Sequence, residues 1–424
     1  MSHATSSRPL TVEALTEVAT SPVIARGAGL SFVDAGMVDG GHVLDMQGMA
    51  RVLRFDPAAG MIEVEPGLSV GELQTVLAGH GWLYPVVPGY PSITVGGCIA
   101  FNVHGKGQAR DGTFGDWVEA LTVWHPAKGV VSCSRTECAE LFALTIGGFG
   151  LTGVITRAVL RVRPLVGDRV RRRCVAVPHI GEAAEIIRDA GEHMDYAYSW
   201  HDLNLRHRRF GAGVVFLEAT LPGQTGGLPH GYPDRLMGHR LAFPWRPPDV
   251  FVRLMCLGYR WWHQHAPAES ELSLHKAMFP IHGLEMYHRQ FGPAGFREYQ
   301  MLIPWARWLE AVEAIEEAIV RTRIAISLGS LKVFRGNTHH LSLAGDGICF
   351  SLDVPNNPRS LVLFDAMDEI VLRCGAIPNL SKDSRIGADV VRAAFPGYDA
   401  FRAAIHAHDP QRVFASDLSR RIGI

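Results

Sequence analysis

The sequence predicts an α+β fold, and three observations favour this class. Short apolar-alternating runs separated by glycine and proline turns, typical of strands, dominate residues 22–162. Segments with apolar residues at helical spacing, at 305–322 and 359–374, are interspersed with strand patterns later in the chain. The first strand runs into the turn RGAG at 26–29, which is not GxGxxG and is not followed by a helix pattern. A Rossmann fold is therefore disfavoured.

Composition and charge are those of an ordinary globular protein. The 424 residues suggest roughly two or three domains, with 47% hydrophobic and 20% charged residues. A formal net charge of -1 does not indicate nucleic acid or an acidic membrane surface as a partner. No apolar run approaches the roughly 20 residues that span a bilayer, and the first residues lack a signal-peptide pattern. We expect a cytoplasmic protein without a transmembrane segment, and peripheral membrane association stays open.

Neither the cysteines nor the histidines follow a metal-binding or disulfide pattern. The seven cysteines are scattered without CxxC spacing, which is typical of reduced thiols. None of the 20 histidines lies in an HExxH motif. We interpret His339, His340, His263 and His265 as surface or packing residues, and we expect no metal site.

Residues 1–165 are expected to form a first domain of two small β subdomains with short helices between them. Strands are predicted at 22–26, 41–45, 52–56, 61–64, 82–87, 118–125, 130–132 and 154–162. Helices are predicted at 11–18, 70–79 and 138–144.

Residues 166–376 are expected to form a second domain on an antiparallel sheet, followed by a C-terminal segment at 377–424. We interpret the arginine-rich boundary at 164–173 as a solvated strand edge. Residues 222–240 predict a long polar loop, typical of a lid or a mobile segment. For the aromatic segment 244–265 we favour core packing over contact with a lipid-like ligand. Further strands are predicted at 213–221, 299–303, 325–334, 340–343 and 348–354, and helices at 181–191, 305–322 and 359–374.

The glycine-rich stretch at 88–117 is the most unusual part of the sequence. It reads PGYPSITVGGCIAFNVHGKGQARDGTFGDW, with small or β-branched residues between the glycines. So many glycines are expected where the backbone approaches a diphosphate or a planar ring closely, because N–H groups can then point at it. A glycine-rich turn in a β-rich protein is the alternative, and composition alone leaves both open.

Four motifs in a fixed order carry a resemblance to a known family. RGAG is followed by PGYPSITVGG, then by HGKGQARDGTFGDWV, then by GGFGLTGVITRA, and SKDSR and DPQRVFASD lie near the C-terminus. This order resembles the vanillyl-alcohol-oxidase-like (PCMH-type) FAD-binding oxidoreductases, in particular those that oxidise a polyprenyl-phosphate-linked pentose. The resemblance covers nearly the whole chain and is loose at 200–290. It implies FAD between two α+β subdomains, a substrate-binding cap, and a C-terminal segment that returns to the FAD-binding domain.

The resemblance also implies which residues contact FAD. In sequence order they are Arg26, Gly27, Ala28, Gly29, Leu30, Ser31, Phe32, Gly89, Tyr90, Ile93, Gly96, Gly97, Val103, His104, Gly105, Lys106, Gly150, Gly153, Ile155 and Asn379. The first six are expected around the pyrophosphate. Leu30 stands where covalently flavinylated relatives carry histidine, so we expect noncovalent FAD. Attachment through His104 is the less favoured alternative.

The implied catalytic residues are Lys382, Cys349, Lys332 and Gln300. The resemblance puts Lys382 beside the flavin and the sugar, either as a base or as an electrostatic anchor. It puts Cys349 across the pocket from the flavin, where a small side chain leaves room for the substrate. Lys332 and Gln300 match further pocket positions, and Lys332 can bind a phosphate as a point charge. Phe32 and Asn379 stand where close relatives carry tyrosine, so the substrate is expected to differ.

The resemblance therefore implies an FAD-dependent oxidation of a secondary hydroxyl of a sugar to a keto-sugar. A polyprenyl-phosphate-linked pentose or a related glycoside is the candidate substrate. A separate NAD(P)H-dependent short-chain reductase would complete an epimerisation. The alternatives are a sugar-lactone or alditol oxidase of the same class, and a non-catalytic flavin-fold protein that binds carbohydrate.

Overall fold

The computed structural model describes residues 4–16, 22–223, 225, 228, 245–284 and 286–424. Its first ten strands are β1 (Thr5–Ser7), β2 (Val23–Arg26), β3 (His42–Asp45), β4 (Val52–Asp56), β5 (Met61–Val64), β6 (Trp82–Leu83), β7 (Val118–His125), β8 (Gly129–Ser134), β9 (Val154–Arg161) and β10 (Arg163–Pro164). The helices between them are α1 (Val12–Thr16), α2 (Val70–Gly79), α3 (Val95–Phe101), α4 (Gln108–Asp111) and α5 (Ala139–Thr145).

Two sheets form the N-terminal part of the chain. Strands β1, β3 and β2 pair in that order as a parallel sheet, and β4, β5, β9, β7 and β8 pair in that order as an antiparallel sheet. Ser69 caps the N-terminus of α2, because its hydroxyl accepts a hydrogen bond from the N–H of Glu72. Its Leu73 and Leu77, four residues apart, are fully buried in the core beneath the five-stranded sheet.

The second part of the chain is built on an antiparallel sheet. Its strands are β11 (Arg169–Val177), β12 (Tyr196–Asp202), β13 (Ala212–Leu221), β14 (Glu269–Ser273), β15 (Phe296–Ile303), β16 (Leu328–Phe334), β17 (Gly347–Pro355) and β18 (Ile377–Pro378). Within the described ranges these eight strands pair in the order β14-β11-β13-β12-β16-β17-β15-β18. The remaining helices are α6 (Ile180–Ala190), α7 (Asp249–His265), α8 (Leu274–Met278), α9 (Met286–Arg289), α10 (Trp308–Thr322), α11 (Pro358–Cys374), α12 (Ala388–Ala394), α13 (Tyr398–His408) and α14 (Asp417–Arg421).

The two faces of the eight-stranded sheet differ in chemistry. Because side chains alternate along a strand, every second residue of β15, β16 and β17 lies on the same face. One set is apolar and packs with α6, α10 and α11 in one core: Tyr299, Met301, Leu331, Val333, Phe350 and Leu352. The other set is largely polar: Glu298, Gln300, Ser330, Lys332, Cys349, Ser351 and Asp353. We call this second side the polar face.

The C-terminal segment connects the large sheet to the first strands. Strand β18 pairs with β15 at the edge of the large sheet. Farther along, the N–H of Val23 in β2 donates to the carbonyl of Val413, and the N–H of Ala415 donates back to Val23. The segment therefore spans from the polar face to the strand that precedes the RGAG turn.

The α+β class is confirmed, and several local expectations change. Residues 340–343 form turns instead of a strand, although Leu341 and Leu343 are buried. The strand expected at 82–87 covers only Trp82–Leu83. The domain limits 1–165, 166–376 and 377–424 stay a prediction. The loop expected at 222–240 lies mostly outside the described residues.

Two other interpretations were wrong in part for the same reason, because tertiary neighbours decide exposure. The arginine-rich segment is not at a sheet edge, because β11 pairs with β13 on one side and with β14 on the other, although Arg169, Arg171 and Arg173 are exposed as expected. Helix α7 does not serve mainly for core packing, since only Val252, Cys256 and Arg260 are buried along its 17 residues.

Replacing Gly213 with alanine is expected to destabilise the large sheet. A Cβ at this position in β13 would lie 2.0 Å from the carbonyl oxygen of Trp200 in the neighbouring strand. Strand separation must then increase locally, at a cost of about 1–3 kcal/mol. The midpoint of urea unfolding of the purified variant, compared with the parent, measures this loss of stability. Gly258→Ala in α7 is the control, because nothing lies within 4 Å of its added Cβ. Equal unfolding midpoints for the two variants would contradict this account.

Candidate active site

The RGAG turn packs directly on the segment that carries the second glycine motif. A Cβ added to Gly27 would lie 2.1 Å from Oγ1 of Thr94, the residue that caps α3. The third cluster joins them, since the N–H of Gly147 donates to Ile99 and the N–H of Phe149 donates to Ala100. Three motifs that are far apart in sequence thus meet at one place.

The backbone of this turn offers free hydrogen-bond donors. Within the described residues, the N–H groups of Ala28, Gly29, Leu30 and Ser31 make no hydrogen bond. The Arg26 side chain folds beneath the turn, where a guanidinium nitrogen lies 3.0 Å from Sδ of Met37. A side chain at Gly29, whose φ is +68°, would collide with that guanidinium. Small residues, unpaired N–H groups and a nearby cation fit an anionic diphosphate such as that of FAD.

Other residues that are expected to contact FAD are packed closely against the protein itself. A Cβ at Gly105 would lie 2.9 Å from the carbonyl oxygen of Val87, and one at Gly153 would lie 2.6 Å from that of Trp124. Ile155 is buried in the core of the five-stranded sheet. Tyr90 is buried, with its ring 5.8 Å from that of His282. Contact of these residues with FAD stays a prediction.

The residues expected to be catalytic come together on the polar face. Lys332 and Cys349 are direct neighbours on β16 and β17. Gln300 on the adjacent strand β15 accepts a hydrogen bond from the side-chain amide of Asn379. Asn379 also donates its backbone N–H to the Gln300 carbonyl at 2.8 Å, which fixes the C-terminal segment to the sheet.

Lys382 reaches the same face from the C-terminal segment. Its Nζ lies 3.0 Å from a carboxylate oxygen of Glu298 and 4.1 Å from the ring centroid of Phe32. The Phe32 ring meets Phe296 edge to face at 5.1 Å. Phe32, three residues after the RGAG turn, therefore lies against Lys382 of SKDSR. The segment that carries the RGAG turn meets the polar face at this contact.

His104 adds a ring from the glycine-rich stretch. Its ring centroid lies 4.6 Å from that of Phe334 in β16. Burial holds the pKa of His104 well below its usual value, and the positive charges of Lys332 and Lys382 lower it further. The imidazole is therefore neutral at pH 7.

Two further groups of the polar face are neutral. Burial raises the pKa of the Cys349 thiol to about 11, so Cys349 is a thiol and not a thiolate nucleophile. Burial and the charge of Glu298 raise the pKa of Asp353 to about 8. The hydroxyl of Tyr287 lies 2.8 Å from Oδ2 of Asp353.

Sequence reasoning missed Glu298 and Asp353, although a signal was present. The two residues face each other on β15 and β17, and each belongs to a series of polar residues with period two. The series are Glu298 and Gln300 on β15 and Cys349, Ser351 and Asp353 on β17. Such a series in a strand with an apolar alternate set indicates a functional face.

The side chain of Lys106 extends toward the large sheet, and contact of this residue with FAD stays a prediction. Its ammonium donates to the carbonyl of Ala277 and lies 4.0 Å from Oε2 of the fully buried Glu218. The rings of Tyr196 and Tyr198 lie 4.9 Å and 4.8 Å away. Burial lowers the pKa of Lys106 to about 8, although the negative charge of Glu218 acts to raise it. Arg172, which sequence reasoning did not single out, forms an ion pair with Glu218 at 2.6 Å.

Asp353→Asn is expected to change the pH dependence of stability. An unfolded aspartate titrates near ~3.9, while Asp353 stays protonated in the folded protein up to about pH 8. Folding therefore takes up a proton between these values, and the parent loses stability as pH rises through this window. The asparagine variant lacks this loss, so its urea midpoint relative to the parent should rise from pH 5 to pH 8.

Asp399→Asn, at an exposed ion pair with Arg392, is the control and should follow the parent at both pH values. An Asp353→Asn midpoint that also follows the parent would show that Asp353 is ionised in the folded protein.

Comparisons with known proteins agree with this geometry. Residues 11–134 match the FAD binding domain family. The chain is 29% identical to the decaprenylphosphoryl-beta-D-ribose oxidase of Mycolicibacterium smegmatis over 420 residues, covering 94% of this chain and 89% of that protein. It is 31% identical to a D-lactate dehydrogenase of Anaerostipes hadrus, over 34% of this chain and 31% of that enzyme. The L-gulonolactone oxidase of Mus musculus is 30% identical, over 32% of this chain and 31% of that enzyme.

The family match begins before the RGAG turn and ends in β8, so it contains the turn, α3 and the glycine-rich stretch. The similarity to the M. smegmatis oxidase extends over the large sheet and the C-terminal segment as well. These findings support a PCMH-type FAD-binding oxidoreductase: residues 11–134 belong to the FAD binding domain family, and the chain resembles the decaprenylphosphoryl-β-D-ribose oxidase along nearly its whole length.

Proposed function

We propose that the protein oxidises a secondary hydroxyl of a sugar to a keto-sugar, with noncovalently bound FAD as the cofactor. The observation that carries the proposal is the meeting of Lys382, Lys332, Cys349 and Gln300 with His104 on the polar face. Four side chains come from the sheet and the C-terminal segment, and His104 comes from the FAD-binding domain. When bound, FAD supplies a hydride acceptor, and the protein has to supply positioning and a path for the hydroxyl proton.

Lys382 is the group that contacts the reacting hydroxyl in this proposal. The Glu298 carboxylate, 3.0 Å from Nζ, holds the lysine over the Phe32 ring and fixes its direction. An oriented ammonium can donate to the hydroxyl oxygen and stabilise negative charge that develops there. If the hydroxyl proton leaves through Lys382, the ammonium first gives a proton to the Glu298 carboxylate, and the neutral amine then accepts the hydroxyl proton.

Lys332, Gln300 and Asn379 position the sugar. Lys332 is the direct cross-strand neighbour of Cys349, whose side chain is small. Because Asn379 donates to Gln300 through its side-chain amide, the orientation of the Gln300 amide is fixed. A fixed amide and a lysine suit a hydroxylated ligand, and the lysine also suits a phosphate.

The neutral groups keep the site from accumulating charge. A neutral His104 adds a hydrogen-bonding ring between two lysines without a third positive charge. The protonated Asp353 pairs with Tyr287 and leaves Glu298 as the negative partner of Lys382. The buried ring of Phe334 lies against His104 and keeps water from that side of the imidazole.

A lipid-phosphate-linked pentose or a related glycoside is the substrate class that we propose. Similarity to the M. smegmatis oxidase, over 94% of the chain, supports it. The keto product would be reduced by a separate NAD(P)H-dependent reductase, giving net epimerisation. The lactate dehydrogenase and gulonolactone oxidase similarities each cover about a third of the chain, so they lend less support to lactone or alditol oxidation.

Anaerobic mixing of the holoenzyme with candidate substrates tests the proposal. The panel contains polyprenyl-phosphate pentoses, free sugars, alditols and sugar lactones, and loss of the oxidised-flavin absorbance is measured. We expect fastest bleaching with a glycoside or phosphate-linked pentose. Fastest bleaching with a lactone or an alditol would establish the alternative oxidase, and no bleaching with any compound would establish a binding role.

Lys382→Ala is expected to slow flavin reduction by about 100-fold or more, since one oriented donor at the reacting oxygen is lost. Stopped-flow reduction with the best substrate measures it. Lys382→Arg separates the two roles: an electrostatic anchor keeps much of the rate, whereas a base loses as much as in the alanine variant. Lys128→Ala, at an exposed turn, is the control. A Lys382→Ala rate equal to that of Lys128→Ala would remove Lys382 from the catalytic residues.

FAD is expected to leave the polypeptide on denaturation. Leu30 has no atom that the flavin can alkylate, and His104 packs against Phe334 on the polar face. Acid precipitation followed by absorbance of the supernatant measures the released fraction. A yellow pellet would show covalent attachment. Loss of that colour in His104→Ala, but not in His339→Ala, would then identify His104 as the attachment site.

A further inference from the structure

Helix α7 exposes a continuous apolar stripe. Val250, Leu254, Leu257 and Trp261 follow the i, i+4, i+7, i+11 spacing that places residues on one helix face. Leu254 and Trp261 are 59% and 58% exposed. Phe251 and Trp262 flank the stripe and are also exposed. We call these six residues the α7 outer face.

The opposite side of α7 is already used. Val252 and Cys256 are buried against Trp200 and Phe216 of the large sheet. Tyr259 adds a ring contact with Trp200 at a centroid distance of 4.6 Å. The helix is therefore apolar on two sides, one of which is packed. A contiguous exposed apolar side of this kind marks a surface that binds a partner or a membrane.

Exposed arginines lie on a loop that contacts this helix. The neighbouring loop contacts α7 through Asn204, whose amide nitrogen lies 3.7 Å from Sγ of Cys256. The same loop carries exposed arginines, none of which forms an ion pair within the described residues: Arg206, Arg208 and Arg209. One acid reaches the loop, since Glu316 accepts the N–H of His207.

Helix α7 itself also carries an arginine without an acidic partner. Arg253 is exposed and has no ion-pair partner in the described part of the chain. The single acid of α7, Asp249, is bound by Arg246 and lies 3.4 Å from Arg359. An unpaired cation therefore lies on the helix beside the outer face, and three more lie on the adjoining loop.

We propose that the α7 outer face inserts into the headgroup region of an anionic lipid bilayer. Apolar and tryptophan side chains combined with nearby arginines are what such an interface requires. A second copy of the chain would bring the same unpaired arginines together, which is unfavourable, whereas anionic headgroups neutralise them. No helix among the described residues has the length and apolar content for a membrane span, so the attachment is peripheral.

This attachment would orient the polar face. Helix α7 packs on the same side of the sheet as Lys332, because its contact cluster includes Leu328 of the same strand β16. The substrate-facing side would then lie at the lipid surface. The proposal does not depend on the proposed reaction, since vesicle binding and flavin reduction are independent measurements.

Flotation of the full-length holoenzyme with lipid vesicles tests the proposal. One set of vesicles is phosphatidylcholine, and the other contains about one third phosphatidylglycerol. We expect binding to the anionic vesicles and weaker binding to phosphatidylcholine alone. Leu254→Glu and Trp261→Glu should each lower partitioning by about tenfold or more. Replacing Arg206, Arg208 and Arg209 together with serine should lower binding to anionic vesicles only.

Leu309→Glu is the matched control, because Leu309 is 73% exposed on α10, a helix on the other side of the sheet. It should bind vesicles as the parent does. Bound FAD verifies the fold of each variant. Partitioning of Trp261→Glu equal to that of Leu309→Glu overturns the proposal. A parent dimer that Trp261→Glu converts to a monomer, measured by light scattering, also overturns it, because the outer face then binds a second copy.

Discussion

The alternation of side chains between the two sides of β15, β16 and β17 is the constraint on which the polar face depends. Alternate residues of these strands pack under α10 and α11, as Met301, Leu331 and Phe350 do. The intervening residues must then lie on the opposite side. A slip by one residue would place Lys332 in the apolar core and Phe350 among the polar groups, and the cost of that exchange fixes the register. The apolar core therefore places the polar groups, although it does not touch the ligand.

Charge pairing is the second requirement of the polar face. A cation removed from water is tolerated when an acid lies beside it: Glu298 is the partner of the partly buried Lys382, and Glu218 is the partner of the more deeply buried Lys106. Arg172, on β11, binds Glu218 as well. These pairs join the FAD-side segments to the large sheet, because Lys106 comes from the glycine-rich stretch and Glu218 from β13. The same contacts that neutralise charge thus hold the two parts of the site together.

The glycine motifs act through close approach. Gly27 leaves room for Thr94, and Gly29 leaves room for the Arg26 guanidinium. The N–H groups of the turn thereby stay available for an anionic group, and we propose that the diphosphate of FAD takes this position. In the proposed reaction the cofactor lies between this turn and the polar face, where Phe32 and Lys382 already meet. Small residues on one side and oriented polar residues on the other then define the space for the sugar.

The sequence by itself determined the cofactor class and the α+β fold, because ordered glycine motifs and periodic apolar residues are local signals. It also identified Lys382, Lys332, Cys349 and Gln300, which the fold brings to one face. Only the tertiary structure decided their partners: Glu298 is 84 positions from Lys382, and no local pattern encodes such a pairing. It decided that Lys106 extends into the sheet and that β11 is an interior strand. It also left one side of α7 unpacked, because the exposure of an apolar residue depends on which neighbours the chain brings to it.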